Sequence, residues 1–209
     1  MNQPAVLAEH ALAFQRKLAA FTDHIDPRRL NAPGAYWAWL GQLPDADMRR
    51  RIATRLFEQN VASLPPLERL ADRHARLVLL SREVIVRQLC TLALARRTGA
   101  LRCCIDKDVR AGLREALGPN FDILAMASDR GRPLIGSAVR WTPMHWSCLG
   151  YFDWTILLQP DDGALRRIAR MSLPRGLLGM NKLYAAARAD LKPARAVALM
   201  DELGLEWSC

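Results

Sequence analysis

Between Ser81 and Gly99 the chain carries its densest apolar stretch, with Val84, Ile85, Val86, Leu89, Leu92 and Leu94 between a serine suited to helix capping and a Thr98-Gly99 stop. That density predicts a helix over Arg82 to Arg97 that is buried on most sides. A helix of this kind is central and needs other elements around it. The 209 residues can supply them, because a chain of this length buries roughly 70% of its unfolded surface. At 51% hydrophobic and 24% charged, with 12 Gly and 12 Pro, the composition excludes a disordered, collagen-like or wholly coiled-coil chain.

The remaining periodicity is also helical. Leu7, Ala11, Phe14, Leu18 and Phe21 share one face of an N-terminal helix that has Pro4 in its first turn. Asp26-Pro27 and Asn31-Ala32-Pro33-Gly34 break it, and Tyr36-Trp37-Ala38-Trp39-Leu40 reads as a short helix or turn. Asp45 or Asp47 can cap the next helix, with Met48, Ile52, Leu56 and Phe57 inward and Arg49, Arg50, Arg51 and Arg55 on the remaining surface. After Pro65-Pro66, helical spacing continues through Leu67, Leu70, His74, Leu77 and Val78, with Arg69, Arg73 and Arg76 opposite. Asp106 caps a helix from Lys107 to Leu117 with Val109, Leu113 and Leu117 inward, and Gly118-Pro119 ends it.

Further helices are expected at Met144 to Leu158, from Pro160-Asp161-Asp162 to Met171, and at Asn181 to Leu191 and Pro193 to Leu203, ahead of an exposed Trp207-Ser208-Cys209. The fold class is therefore mainly α, a compact irregular arrangement of about eight to ten helices. Ser128-Asp129-Arg130-Gly131-Arg132-Pro133 is the strongest loop signal. It suggests a helical core over 1–127, a loop over 128–136 and a C-terminal helical part over 137–209 packed on that core, containing Trp141, Trp146 and Trp154. The C-terminal part is either a smaller subdomain or a continuation of one domain.

Met1-Asn2-Gln3-Pro4 has neither the positive region nor the apolar stretch of a signal peptide, and no run reaches the 18 or so apolar residues of a membrane span. Cysteines 90, 103, 104, 148 and 209 form an odd set without framework spacing, which favours thiols in a reducing compartment, with a strained Cys103-Cys104 bridge as the alternative. No phosphate-cradling glycine loop, dinucleotide fingerprint or nucleophile elbow is present. His145-Trp146-Ser147-Cys148 offers one ligand-like pair but no second half, so no metal or cofactor is expected. Asp161-Asp162 and Glu202 with Glu206 read as helix-end and surface carboxylates rather than a catalytic pair.

Charge is more informative. The chain carries 30 Lys+Arg and 21 Asp+Glu, a formal +9; the segment 47–114 holds 15 of the former and 7 of the latter, and so contributes +8 of that excess. Three readings fit: a phosphate-binding surface, an interface for a carboxylate-bearing protein, or a solvated polar face. Aromatics lie outside the basic segment, in Tyr36 to Trp39 and Trp141 to Trp154, which argues against a nucleic-acid module.

Two stretches are distinctive: Leu77 to Cys90, continuing through Leu101 to Asp106-Lys107-Asp108-Val109-Arg110 and Leu113, and Leu165-Arg166-Arg167-Ile168-Ala169-Arg170-Met171-Ser172-Leu173-Pro174. Both resemble the SctK/YscK family of bacterial type III secretion proteins. Together they cover roughly a third of the chain, through apolar and arginine positions. The resemblance implies a non-enzymatic cytoplasmic adaptor of the sorting platform, peripheral to the inner-membrane apparatus and needed for secretion. It would link pods built on the SctQ-type protein to the cytoplasmic domain of the SctD-type ring protein. A monomer is expected in isolation, without nucleic acid, membrane insertion, catalytic residues or cofactor. The surface expected to meet an acidic partner is Arg49, Arg50, Arg51 and Arg55, with Arg69, Arg73 and Arg76 second. The rival readings are a basic helical nucleic-acid-binding protein and a secreted effector of the same system.

Overall fold

A computed structural model describes residues 3–29, 34–127, 136–180, 184–185 and 187–205. Among them the architecture is all-helical, with eleven α-helices, five short 3-10 helices and no strand. The described residues form two compact units, one drawn from 1–85 and 158–175, the other from 86–157 and 176–208. This division does not follow the expected 1–127 and 137–209. It arises because contacts between sequence-distant segments, rather than a loop signal, decide which helices share a core. Most of the expected loop, 128–135, lies outside the described residues.

In the first unit, α1 (Gln3–Ala19) packs on α3 (Ala46–Val61), and the ring of Phe57 meets Phe14 at 6.2 Å and Phe21 at 5.2 Å, both edge-on. Each such fully buried side chain contributes about 1.5–3 kcal/mol. Leu7, Ala11 and Leu18 are only half-buried, so the expected α1 face is a margin of the core rather than its centre. The short helix at the Tyr36–Leu40 cluster is present as α2 (Gly34–Gln42). Asp45 starts α3, its Oδ1 accepting from the amides of Asp47 and Met48 at 2.9 and 3.2 Å.

The segment after Pro65-Pro66 corrects the expected continuous helix. Two 3-10 helices, Leu67–Ala71 and Ala75–Leu79, are separated at Asp72, whose backbone is extended. The Asp72 carboxylate accepts from the amide of His74 at 2.7 Å, a local bond that competes with helix continuation. Leu70, Leu77 and Val78 are buried as expected, whereas Leu67 is exposed. Helix α9 (Gly163–Met171) joins this unit beside α3 and Ala75–Leu79, and Met171 O accepts from the Asp26 amide at 2.8 Å.

The apolar stretch forms α4 (Arg82–Ala95), and Ser81 Oγ accepts from the Val84 amide at 3.4 Å. Its first turn belongs to the first unit and the rest to the second. From Gln88 to Ala95 every residue is buried, as the sequence predicts. Helix α8 (Pro143–Thr155) crosses α4 at Gly150, where an added Cβ would lie 1.8 Å from the carbonyl oxygen of Leu89. Only glycine permits that approach. Ser147 Oγ donates to Val86 O at 2.8 Å along the same contact.

The four-residue α5 (Ala100–Cys103) precedes α6 (Lys107–Leu117), which is capped by Asp106 as expected and buries Leu113 and Leu117. An unanticipated α7 (Asn120–Met126) follows, burying Phe121 and Leu124; the guanidinium groups of Arg110 and Arg114 lie over the Phe121 ring at 5.1 and 4.7 Å. Trp141, Trp146 and Trp154 are buried, with Trp141 meeting Trp146 at 5.0 Å and Tyr184 at 5.5 Å. Beyond the short α10 (Arg175–Leu178), the expected helix over Asn181 to Leu191 falls partly outside the described residues, and 187–191 is not helical. The last element is α11 (Pro193–Glu202); Trp207-Ser208-Cys209 lies outside the described residues.

Candidate interaction surface on the arginine helix

The two arginine sets singled out by sequence have different fates. Arg49, Arg50, Arg51 and Arg55 are all exposed on α3. Their nearest described ion pair is Arg50 with Asp47, at 4.0 Å and open to solvent, which contributes little. Because Ala53, Phe57 and Val61 turn inward, the rest of the helix circumference is left to these arginines and their neighbours.

The second set is not a free polar face. Arg69 donates from Nε and Nη2 to both carboxylate oxygens of the buried Asp162, at 2.8 and 2.6 Å, with Asp72 at 3.6 Å. The Arg69 hydrogen bonds hold the Asp162 carboxyl below the usual range, against the effect of burial. Arg73 and Arg76 are half-buried, and the Nε of Arg76 is enclosed without a hydrogen-bond partner.

Other arginines, in the basic segment and before it, are likewise committed internally. Arg82 and Arg28 both reach Asp26 Oδ2, at 2.7 and 2.8 Å. Burial would raise the Asp26 carboxyl, but these bonds and charges outweigh it and hold it low. Arg96 and Arg97 both bind Asp153, Arg97 at 2.6 Å, and Arg97 also donates to Ala187 O at 2.8 Å and Ala93 O at 3.0 Å. Asp26, Asp153 and Asp162 all lie outside 47–114. The local excess of +8 is therefore partly neutralised in three dimensions; α3 carries four of the cations that stay exposed, and Arg87, Arg102, Lys107 and Arg114 are exposed elsewhere in the segment.

Shallow apolar recesses flank the α3 arginines, and sequence reasoning missed them. One, of about 350 Å³, is lined by Tyr36, Met48, Ile52 and Leu56 and edged by Arg51 and Arg55. Met48, expected inward, is 45% exposed there. The signal was present, since positions 48, 52, 55, 56 and 59 share a helical face, but the inward assignment of every apolar residue concealed it. A second recess, of about 470 Å³, lies between α1 and α3, with Leu12, Leu18 and Ala19 beside Arg16 and Arg50. Leu12 is 53% exposed.

Among the described residues the thiols and histidines form no reactive constellation. Cys103 and Cys104 are not bridged, and burial pushes the Cys90 thiol up to about 12. His145 Nδ1 lies 2.7 Å from Thr142 Oγ1, while Cys148 is buried. Glu202 pairs with Arg195 at 2.5 Å, and Glu206 lies outside the described residues. Among the described residues no group of three or more His, Cys, Asp or Glu could hold a metal ion, and no helix is long and apolar enough to cross a membrane. No family model, curated protein or solved structure matches the chain.

Proposed function

We propose that this protein is a non-enzymatic helical adaptor of a bacterial type III secretion system, working at the cytoplasmic face of the inner-membrane apparatus. In this reading it joins the SctQ-type pod protein to the cytoplasmic domain of the SctD-type ring protein. The sequence resemblance at Leu77 to Leu113 and Leu165 to Pro174 supports the choice of system. The observation that carries the binding role is α3, whose four arginines are exposed and three of which edge apolar recesses, Arg50 on one flank and Arg51 and Arg55 on the other. Exposed guanidinium groups beside apolar grooves suit an acidic amphipathic segment, whose apolar side enters a groove while its carboxylates meet the arginines. Buried ion pairs such as Arg69 with Asp162 and Arg97 with Asp153 withdraw part of the remaining charge from that partner.

Cross-linking pull-down from cells tests the reading. The wild-type chain should capture the pod and ring proteins, and a variant with Arg49, Arg50, Arg51 and Arg55 changed to Glu should lose at least one of them while keeping its helical circular dichroism. Undiminished capture by the folded variant removes α3 from the model. If the chain instead shifts duplex DNA or RNA with a steep salt dependence, the nucleic-acid reading replaces the adaptor.

A further inference from the structure

We propose that the seam between α1 and α3 is one groove that receives a single amphipathic, acidic α-helix of a partner protein. The inference rests on the adaptor reading and assigns the side of α3 on which the partner sits. The recess of about 470 Å³ between the two helices is lined by Leu12, Gln15, Ala19 and Thr54 with Arg16 and Arg50. A further recess, of about 480 Å³, is lined by Ala20, Leu40, Gly41 and Ala46 with Asp23 and Arg49, and it shares Ala19 and Arg50 with the first. The two therefore adjoin. Leu12 to Ala19 alone spans about 10 Å, the length of about two helical turns. The second recess carries the groove past the end of α1 to the start of α3.

The groove's chemistry selects its occupant. Leu12 offers a large exposed apolar contact, while Ala19, Gly41 and Ala46 are exposed small residues that let a second backbone come close. Away from their ends, α1 and α3 use their backbone donors and acceptors internally, and the described residues hold no strand. An extended segment would find no edge to pair with, whereas a helix satisfies its own backbone and needs only side-chain contacts. Arg16, Arg49 and Arg50 face one carboxylate, Asp23, among the described lining residues. Arg50 also meets Asp47 at 4.0 Å, a pair too open to solvent to hold it from a partner. Leu12 and Thr54 line only the first recess and Ala46 only the second, which sets the C-terminal end of α1 beside the N-terminal end of α3. Those opposed helix ends offset each other, and the guanidinium groups set the sign of the potential. The matching helix has aliphatic side chains at i, i+4 and i+7, carboxylates opposite Arg16 and Arg50, and none opposite Asp23.

The test uses the purified full chain and a fluorescent helical peptide of about 15 residues, with leucines at i, i+4, i+7 and i+11 between glutamates. Two comparison peptides carry lysines for the glutamates or prolines that break the helix. Anisotropy should show saturable binding of the acidic helix, about tenfold or more tighter than of either comparison. A Leu12→Ser/Ala19→Gln variant should weaken it about tenfold or more, and Met48→Ser, on the other flank of α3, by less. Asp23→Asn should tighten it about two- to fivefold. Thermal unfolding confirms that each variant is folded. Benzoylphenylalanine in place of Gln15 should cross-link to the peptide, and in place of Gln59 should not. Absence of saturable binding, equal binding of either comparison peptide, or a Met48→Ser loss that matches the groove variant overturns the proposal. So does binding to phosphatidylglycerol vesicles without binding to the peptide, which makes the partner a membrane surface. The adaptor reading fails separately. Capture of the pod and ring proteins that survives in Leu12→Ser/Ala19→Gln but is lost on reversing the α3 arginines removes this groove and keeps the adaptor; capture that survives both removes α3.

Discussion

Replacing Gly150 by alanine tests the closest contact in the second unit. The new Cβ would lie 1.8 Å from the carbonyl oxygen and 2.5 Å from the carbonyl carbon of Leu89, both backbone atoms of α4 that no rotamer change can move. Relief requires α8 to retreat from α4 by more than 1 Å, because ordinary contact begins near 3.4 Å. A gap of 0.5–1 Å already forfeits about a quarter to a half of the dispersion well for each facing pair. Around this crossing Leu89, Cys90, Ala93, Trp146, Cys148 and Trp154 are all buried. Overpacking a core costs about 1–3 kcal/mol where side chains can adjust, and more where the backbone must shift. We therefore expect a loss of about 3–5 kcal/mol, equivalent to roughly 6–20 °C in Tm for a chain of this size.

Gly112 provides the control, since its added Cβ would meet only Pro143 Cδ at 4.0 Å. Gly112→Ala removes the same unfolded-state freedom from a helical position and should stabilise by about 0.5–1 kcal/mol. Urea unfolding followed by circular dichroism compares the two variants at constant m. A Gly150→Ala loss under about 1 kcal/mol would refute the close crossing.

Other perturbations address the buried charges. Asp153→Ala leaves Arg96 and Arg97 without their shared carboxylate and should destabilise by about 3–5 kcal/mol in urea unfolding, whereas Arg195→Ala on the exposed surface should change stability by under about 1 kcal/mol. Lys17 is buried, donates to Leu80 O at 2.6 Å, and is lowered by burial from 10.5 to about 7 despite Glu83. Between those values the folded state holds fewer protons than the unfolded state, so stability should rise with pH from about 7 to 10.5. Lys17→Met should flatten that slope, and an unchanged slope would refute the assignment. Asp26 and Asp162 act at the acid end: their lowered carboxyls stabilise the fold above the unfolded carboxylate range, and that contribution should vanish as pH falls through their folded values, read as acid-induced loss of ellipticity.

Local chemistry made much of this fold legible in the sequence. The starts of α3, α4 and α6 follow from Asp45, Ser81 and Asp106, whose side chains cap amides two or three residues on. The burial of α4 follows from its apolar density. The break at Asp72 was hidden because 3-10 and α spacing place Leu70, Leu77 and Val78 similarly, and a single Asx bond decides between them. The exposure of Arg49 to Arg55 was readable from helical periodicity. The fate of Arg69 was not, because its partner Asp162 lies 93 residues away. Net charge along a sequence window counts residues but not their partners, and so 47–114 looked more basic than its surface is.

The claim that matters most is that α3 is a docking face for an acidic protein. Titration calorimetry of the purified chain against the SctD-type cytoplasmic domain and the SctQ-type pod protein, repeated over a range of salt, measures it directly. The account predicts binding to at least one of them that weakens as salt rises and falls about tenfold or more when Arg49, Arg50, Arg51 and Arg55 become Glu. Equal affinity of the wild-type and reversed chains, or no binding to either protein at low salt, would contradict it.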